Sequence, residues 1–460
     1  MKLHNNLKNP GAAGSPAGPR MLTVAIPLVL ALILTGCFTA RPGERELLQR
    51  DRVEGASEEL GRELPELAED SGLNEFARYA VLNSPEVRAA YYSWEAAVSE
   101  IVPARYLPDL RLAFEAELSD MADDMYMAGA SLAIPGPGKR SLRAERYALL
   151  AEQKEIVLRE KVLLTVFQVK RLAYSIWLIG EHISFLEETL EILDEIEEIL
   201  HRSAAFDRAS QVDILDLQVR KENLKNEIID QEELMGVYRR RFASAMGESL
   251  DELQFYPGGL IFTEGLSDED IWALVIENNP RLARGRTAVE ESEVLVKLAY
   301  REYRPDFGIS FMRTVFSAMT VNNPMLMLSV PWRGRVKSRV EASLSMEKMA
   351  GAEYLAEELD LAVMLSEGLF RWRQADREAK LYGDRLIPRI ESILEITTIR
   401  YEVGRASFSD VLDAVARELE YRFNYSAAKA MREIAVNEIF LVIAGVTPEW
   451  LDYPEDNYEE

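Results

Sequence analysis

Apolar residues between positions 183 and 200 step by three and four: Ile183, Leu186, Leu190, Leu193, Ile196 and Leu200. A second edge, Phe185, Ile192 and Ile199, repeats every seven. This is the period of a helix with a neighbour on each side, like a stave in a wall. Glu187, Glu188, Glu191, Glu195 and Glu198 lie between the edges and are expected to face water. Strong helix formers dominate Lys139 to Arg202, and no proline occurs between Pro137 and Pro257. Such a helix would be about 95 Å long at 1.5 Å per residue, too long to fold back into a compact core. An ordinary two-helix coiled coil, the simpler alternative, would need only one seam.

After Pro108 and Pro305 the period changes to two. Leu110, Leu112, Phe114, Ala116 and Leu118 alternate with Arg111, Ala113, Glu115 and Glu117. Past an acidic connection from Ser119 to Asp124, Tyr126, Ala128, Ala130, Leu132 and Ile134 alternate again. Phe307, Ile309 and Phe311, then Leu326, Leu328 and Val330, repeat the pattern. Strands of this length with one apolar face match transmembrane β-strands, although a soluble hairpin with one buried face shows the same alternation. Two hairpins give four strands, and about eight are needed to close a barrel, so the strands must be pooled between chains.

The landmarks recur in order at offsets of 195 to 198 residues, the last being Gly247 and Gly445 at the ends of the two halves. Asn83-Ser84-Pro85 returns as Asn278-Asn279-Pro280, and Leu107-Pro108-Asp109 as Arg304-Pro305-Asp306. Ile134-Pro135 with Gly138-Lys139 returns as Val330-Pro331 with Gly334-Arg335, and Arg208-Ala209-Ser210 as Arg405-Ala406-Ser407. The expected organisation is therefore a duplication. Residues 73–247 form repeat 1, with a β-hairpin at about 109–134 and a long helical hairpin over 139–247. Residues 248–267 link it to repeat 2, residues 268–445, with a β-hairpin at about 306–331 and a helical hairpin over 334–445. Residues 446–460 are an acidic tail.

Charge and cysteine usage narrow the function. A formal charge of −25 argues against nucleic-acid binding. One cysteine excludes a disulfide framework, and three histidines leave little for a metal or catalytic centre. Residues 1–36 carry Lys2, Lys8 and Arg20 but no acid, and the apolar run Met21 to Leu34 suits a secretory signal. Met21 is an alternative start. Leu34-Thr35-Gly36-Cys37 resembles the bacterial lipobox, which makes Cys37 a lipidation site and residues 37–72 a lipidated linker. Phe38 follows Cys37, in place of the Asp that in such lipoproteins often signals inner-membrane retention.

Tyr401-x-x-Gly404-Arg405-Ala406-Ser407-x-x-Asp410-Val411-Leu412-Asp413 resembles the signature turn of the TolC family of outer-membrane efflux proteins. The resemblance extends over both repeats, about residues 73 to 445, and the Pro-Gly-Lys-Arg element after the first hairpin is similar to the heavy-metal branch. It implies a mainly α protein with a small β part. Three chains would form an α-helical barrel of long coiled-coil helices, continued by a shared 12-stranded transmembrane β-barrel with four strands per chain. The implied function is the outer-membrane channel of a tripartite efflux system, passing substrates from a periplasmic adaptor and an inner-membrane pump to the exterior. No catalytic residue, metal or cofactor belongs to it. The implied location is the outer membrane of a two-membrane bacterium, with a lipid anchor and a periplasmic tunnel.

Carried over residue by residue, Asp410 and Asp413 fall on acidic rings at the periplasmic entrance, and Tyr401 on a tyrosine that helps to close it. The hairpin tips, Asp207, Arg208, Ala209 and Ser210 in one repeat and Gly404, Arg405, Ala406 and Ser407 in the other, fall where the adaptor docks. Asp207 stands where the family has glycine, and Ala406 where a basic residue is frequent.

The residues themselves allow further readings. Asp410 and Asp413 share a helix face, so threefold symmetry would make two carboxylate rings that attract cations and raise some aspartate pKa values. Asp near a helix start also simply complements the macrodipole, with Ser407 or Ser409 as cap. Arg202, Arg208, Arg400 and Arg405 cluster near the tips as candidates for pairing with Asp213, Asp216 or an adaptor, unless they are merely solvated, and Arg405 is the one expected to help close the entrance. Met121, Met125, Met127, Met312, Met319, Met325 and Met327 gather at the hairpins, where adaptable packing at the membrane is favoured over soft-metal binding. Glu198-x-x-His201 has no second copy to complete a di-iron site. A lipid-anchored helical adaptor or scaffold that conducts nothing is the alternative function.

Overall fold

The computed structural model describes residues 42–68, 71–118, 124–204, 211–248, 271–316 and 319–444. Cys37, the first tip with Asp207, Arg208, Ala209 and Ser210, most of the linker and the acidic tail lie outside them.

Helix α1 (Glu44–Leu60) occupies a segment that the hydrophobic pattern presents as a linker. Its packing face is polar, with Glu46 and Gln49 both buried. Helices α2 (Leu73–Asn83), α3 (Pro85–Ser99) and α4 (Ile101–Arg105) follow. Gln49 accepts from Trp94 Nε1 on α3 at 2.7 Å and donates to Glu155 Oε2 at 2.6 Å. Arg105 Nη1 reaches Glu46 Oε2 at 3.2 Å. Buried charges survive only when paired and bonded in this way. Trp94, Phe76, Val98 and Phe242 fill the core around the network.

The two Asn-x-Pro starts work alike. Ser84 Oγ caps α3 and places Pro85 at the first helical position, where its missing N–H is harmless. Asn279 caps the later helix α8 by accepting from Arg281 N at 2.8 Å.

Strands β1 (Arg111–Glu117) and β2 (Met125–Ile134) form the first hairpin. Then α5 (Lys139–Ala204) runs 66 residues, about 100 Å, and α6 (Gln211–Ala245) returns beside it. The second half brings α7 (Ile271–Asn278), α8 (Pro280–Arg301), β3 (Asp306–Val315) and β4 (Thr320–Ser329). Helix α9 (Arg333–Leu381) reaches α10 (Ile387–Glu402) through a π-helical turn, Tyr382–Leu386. The chain stays helical through this turn, where Pro388 has no N–H for the carbonyl four residues back. Gly383 lets this turn lie against Tyr425, since a Cβ there would come within 2.7 Å of its ring. Helix α11 (Phe408–Ile443) closes the fold.

All four strands join one antiparallel sheet in the order β1-β2-β3-β4. The second and third strands, separated in sequence by the first helical hairpin, pair from Tyr126↔Val315 to Ile134↔Phe307. The two hairpins share one internal register: Arg111↔Ser131 in the first corresponds to Gly308↔Met327 in the second. Among the described residues β1 and β4 remain open edges.

Candidate functional site

The sheet register sorts the strand residues onto two faces. Leu112, Phe114, Ala128, Ala130, Leu132, Ile309, Phe311, Leu326 and Leu328 share one. That face is mostly apolar and bare, with Phe114 80% and Leu326 75% exposed, and it carries Arg313 and Asn322 at its β3–β4 turn end. An exposed patch of this size marks a surface for a membrane or for another chain. Glu115, Glu117, Ser131, Ser310, Thr314 and Asn323 share the opposite face. Met125, Met127, Met312, Met325 and Met327 lie on this second, polar face, so packing against lipid does not explain them. Met312 and Met327 instead lie over Gly129 and Gly308, whose missing side chains make room. Met121 is outside the described residues.

At the far end of the helices, Leu193, Ile196 and Leu200 of α5 pack with Leu217 of α6 and Phe408, Val411, Leu412 and Val415 of α11. These α5 residues belong to the first sequence stripe. Those of its second edge stay half-buried.

The turn before α11 is built locally. Gly404 adopts φ +72°, with its N–H on Tyr401 O at 2.9 Å and that of Arg405 on Arg400 O at 2.7 Å. This is a Schellman closure, and the left-handed residue it needs is glycine. Ser407 then caps α11 as half of a capping box. Its N–H and Oγ bond Asp410 Oδ2 at 2.9 and 2.7 Å, while Asp410 N–H reaches Ser407 Oγ at 3.3 Å. Ala406 is half-buried between them.

These bonds from Ser407, helped by nearby Arg400, hold the Asp410 carboxyl below the usual carboxylate range. Within one chain the shift is therefore downward, opposite to the one expected of like charges. A depressed carboxyl stabilises the fold above its unfolded pKa, and that support is lost as pH falls through the folded value. The amides of the first turn of α11 should thus exchange faster in acid below the usual carboxylate range. In Asp410→Asn this acid dependence should disappear, which hydrogen exchange at Asp410 would read.

Asp413 is exposed on the same face as Asp410. Tyr401 is half-buried, its ring centroid 5.9 Å from that of Phe408. Its hydroxyl is enclosed and has no hydrogen-bond partner among the described residues. Burial, then the negative charge of Asp213, raises its pKa. The fold thus brings Tyr401 and Asp213 together across the two halves. It does not bring Arg405 to the acids: Asp216 pairs with Arg220 at 3.6 Å, and exposed Arg405 makes no ion pair among the described residues.

Two tip clusters escaped sequence reasoning. Lys221 of α6 bridges Asp194 and Glu197 of α5. Arg422 of α11 meets Glu188 of α5 at 2.8 Å, Glu418 at 2.9 Å and Glu391 of α10 at 3.6 Å. Only the four-residue spacing of Glu418 and Arg422 was visible in advance. Among the described residues no cluster of acids, histidines or cysteines is suited to a metal ion.

The structure thus joins a four-stranded sheet with one exposed apolar face to a helix about 100 Å long. Residues 273–445 match the family model described as outer membrane efflux protein. The chain is 21% identical over 330 residues to the cobalt-zinc-cadmium resistance protein CzcC of Cupriavidus metallidurans, covering 71% of this chain and 78% of that one. Among solved structures, a membrane protein from Pseudomonas aeruginosa superposes with TM-score 0.72 at 14% identity, over 81% of this chain and 90% of that one. The outer membrane protein VceC of Vibrio cholerae gives 0.70 at 15% identity, over 81% and 95%. Over its second half the chain is thus similar to outer membrane efflux proteins, and its fold is that of solved outer-membrane channels.

Proposed function

We propose that three copies of this chain form one outer-membrane duct of a tripartite efflux system. The observation that carries the reading is the open four-stranded sheet, apolar on one exposed face and polar on the other. It is too short to close alone, whereas copies joined edge to edge enclose a polar lumen. The long helices continue the wall into the periplasm, and the halves of each chain act as equivalent repeats. Lipidated Cys37 anchors the chain at the membrane, and the hairpin tips receive the adaptor below the pump. Asp410 and Asp413 form the acidic entrance, where Tyr401 and Asp213 take part in closure. The relative CzcC, a cobalt-zinc-cadmium resistance protein, makes divalent metal cations the first cargo to test, and the pump does the selecting.

Purified protein should run as a heat-resistant trimer on gels and open stable pores in planar bilayers. A monomer without conductance would leave the non-conducting scaffold as the better reading.

A further inference from the structure

The two halves of the chain meet at a junction whose chemistry is complete, and each half carries an incomplete copy of it on its outer side. At the complete junction Asp306, at the start of β3, accepts from Gly136 N–H at 2.6 Å and from Lys139 Nζ at 2.7 Å. Lys139 also donates to Arg304 O at 2.9 Å, and its side chain is 6% exposed. The counterpart of Asp306 in the first half is Asp109, and that of Lys139 in the second half is Arg335. Both are exposed, and neither makes an ion pair among the described residues.

Hydrophobic burial points the same way. Leu163 of α5 is 4% exposed and lines a cleft with Asn279 and Pro280 of the other half. Its counterpart on α9, Leu359, is 62% exposed.

We propose that a second copy of this chain fills these positions, with Arg335 and the Trp332 N–H bonding Asp109 of the neighbouring copy as Lys139 and Gly136 bond Asp306. The inference rests on the trimeric reading above and adds a register to it. Within the chain Leu132 faces Ile309 and Ala130 faces Phe311. The hairpin registers correspond under shifts of 197 residues from β1 to β3 and 196 from β2 to β4. Transferred to the open edges, these shifts set Leu328 against Leu112 of the neighbouring copy, and Leu326 against its Phe114. This pairing keeps the apolar faces continuous, whereas a slip of one residue would turn one strand's apolar side into the lumen. The opposite charges of Arg335 and Asp109 then meet at the base of the seam.

Two experiments on the full chain in its native membrane test this. Leu112→Cys with Leu328→Cys should cross-link under a mild oxidant into a covalent trimer, while Phe114→Cys with Leu328→Cys should not. Asp109→Arg or Arg335→Asp alone should raise the monomer fraction about tenfold, because like charges then face each other. The exchange of both should restore the trimer. A stable trimer that cross-links only in the shifted register, or in which the exchange is no better than the singles, overturns this inference and leaves the channel reading standing. Absence of any trimer in the unmodified chain removes both.

Discussion

Replacing Asp413 by asparagine lowers the cation preference of the open channel by roughly three- to tenfold. For three carboxylates about 8 Å from a threefold axis, the summed attraction for a monovalent cation in water is about 1.5 kcal/mol, a tenfold enrichment. Screening at about 0.1 M salt trims it toward the lower figure. Asp413 is the cleaner of the two acids to change, because Asp410 also holds the capping box with Ser407. Asp410→Asn keeps an acceptor for the Ser407 amide and so separates charge from cap. Reversal potentials under a salt gradient are the measurement. An Asp413→Asn channel with unchanged selectivity would show that this face does not line the pore.

Trp94→Ala has the largest expected effect on folding, about 3–5 kcal/mol from lost packing. Trp94 is 1% exposed, and its Nε1 holds Gln49, which in turn holds Glu155. The cavity therefore also releases a buried polar chain, and the leftover carbonyl of Gln49 adds about 1–3 kcal/mol. Helix α1 should detach before the long helices melt. Limited proteolysis would then cut the segment before residue 73 in the variant at a temperature where the parent resists, and denaturant unfolding would give the total loss. Trp94→Phe should keep most of the packing and lose only the bond. An α1 that stays protected in Trp94→Ala would mean that other contacts, such as Arg105–Glu46, are sufficient.

Much of the local structure was legible in residues 139–200 and in the strands because their periods are long and unbroken. The expected hairpins begin and end within a few residues of β1, β2, β3 and β4. The tip turn was equally readable, since Gly404 and Ser407 act through bonds to neighbours within five residues. Helix α1 was not readable, because it packs through Glu46 and Gln49, which by composition belong on a solvated face. The shared side of the methionines was only partly readable: alternation gives a side within one strand, and the register was needed to show that five of them lie together on the polar side of the sheet. Within one chain Asp216 pairs with Arg220, one helical turn away, and sequence proximity to the tips did not indicate that neighbour.

The sequence alone determined the periods, the two-part recurrence and the turn chemistry, all set by residues near one another along the chain. Only the tertiary structure decided which edges meet. Pairing β2 with β3, setting Tyr401 beside Asp213 and burying Lys139 against Asp306 join residues far apart in the chain. Such contacts depend on how whole helices and strands lie against one another, and no local pattern of residues encodes that placement.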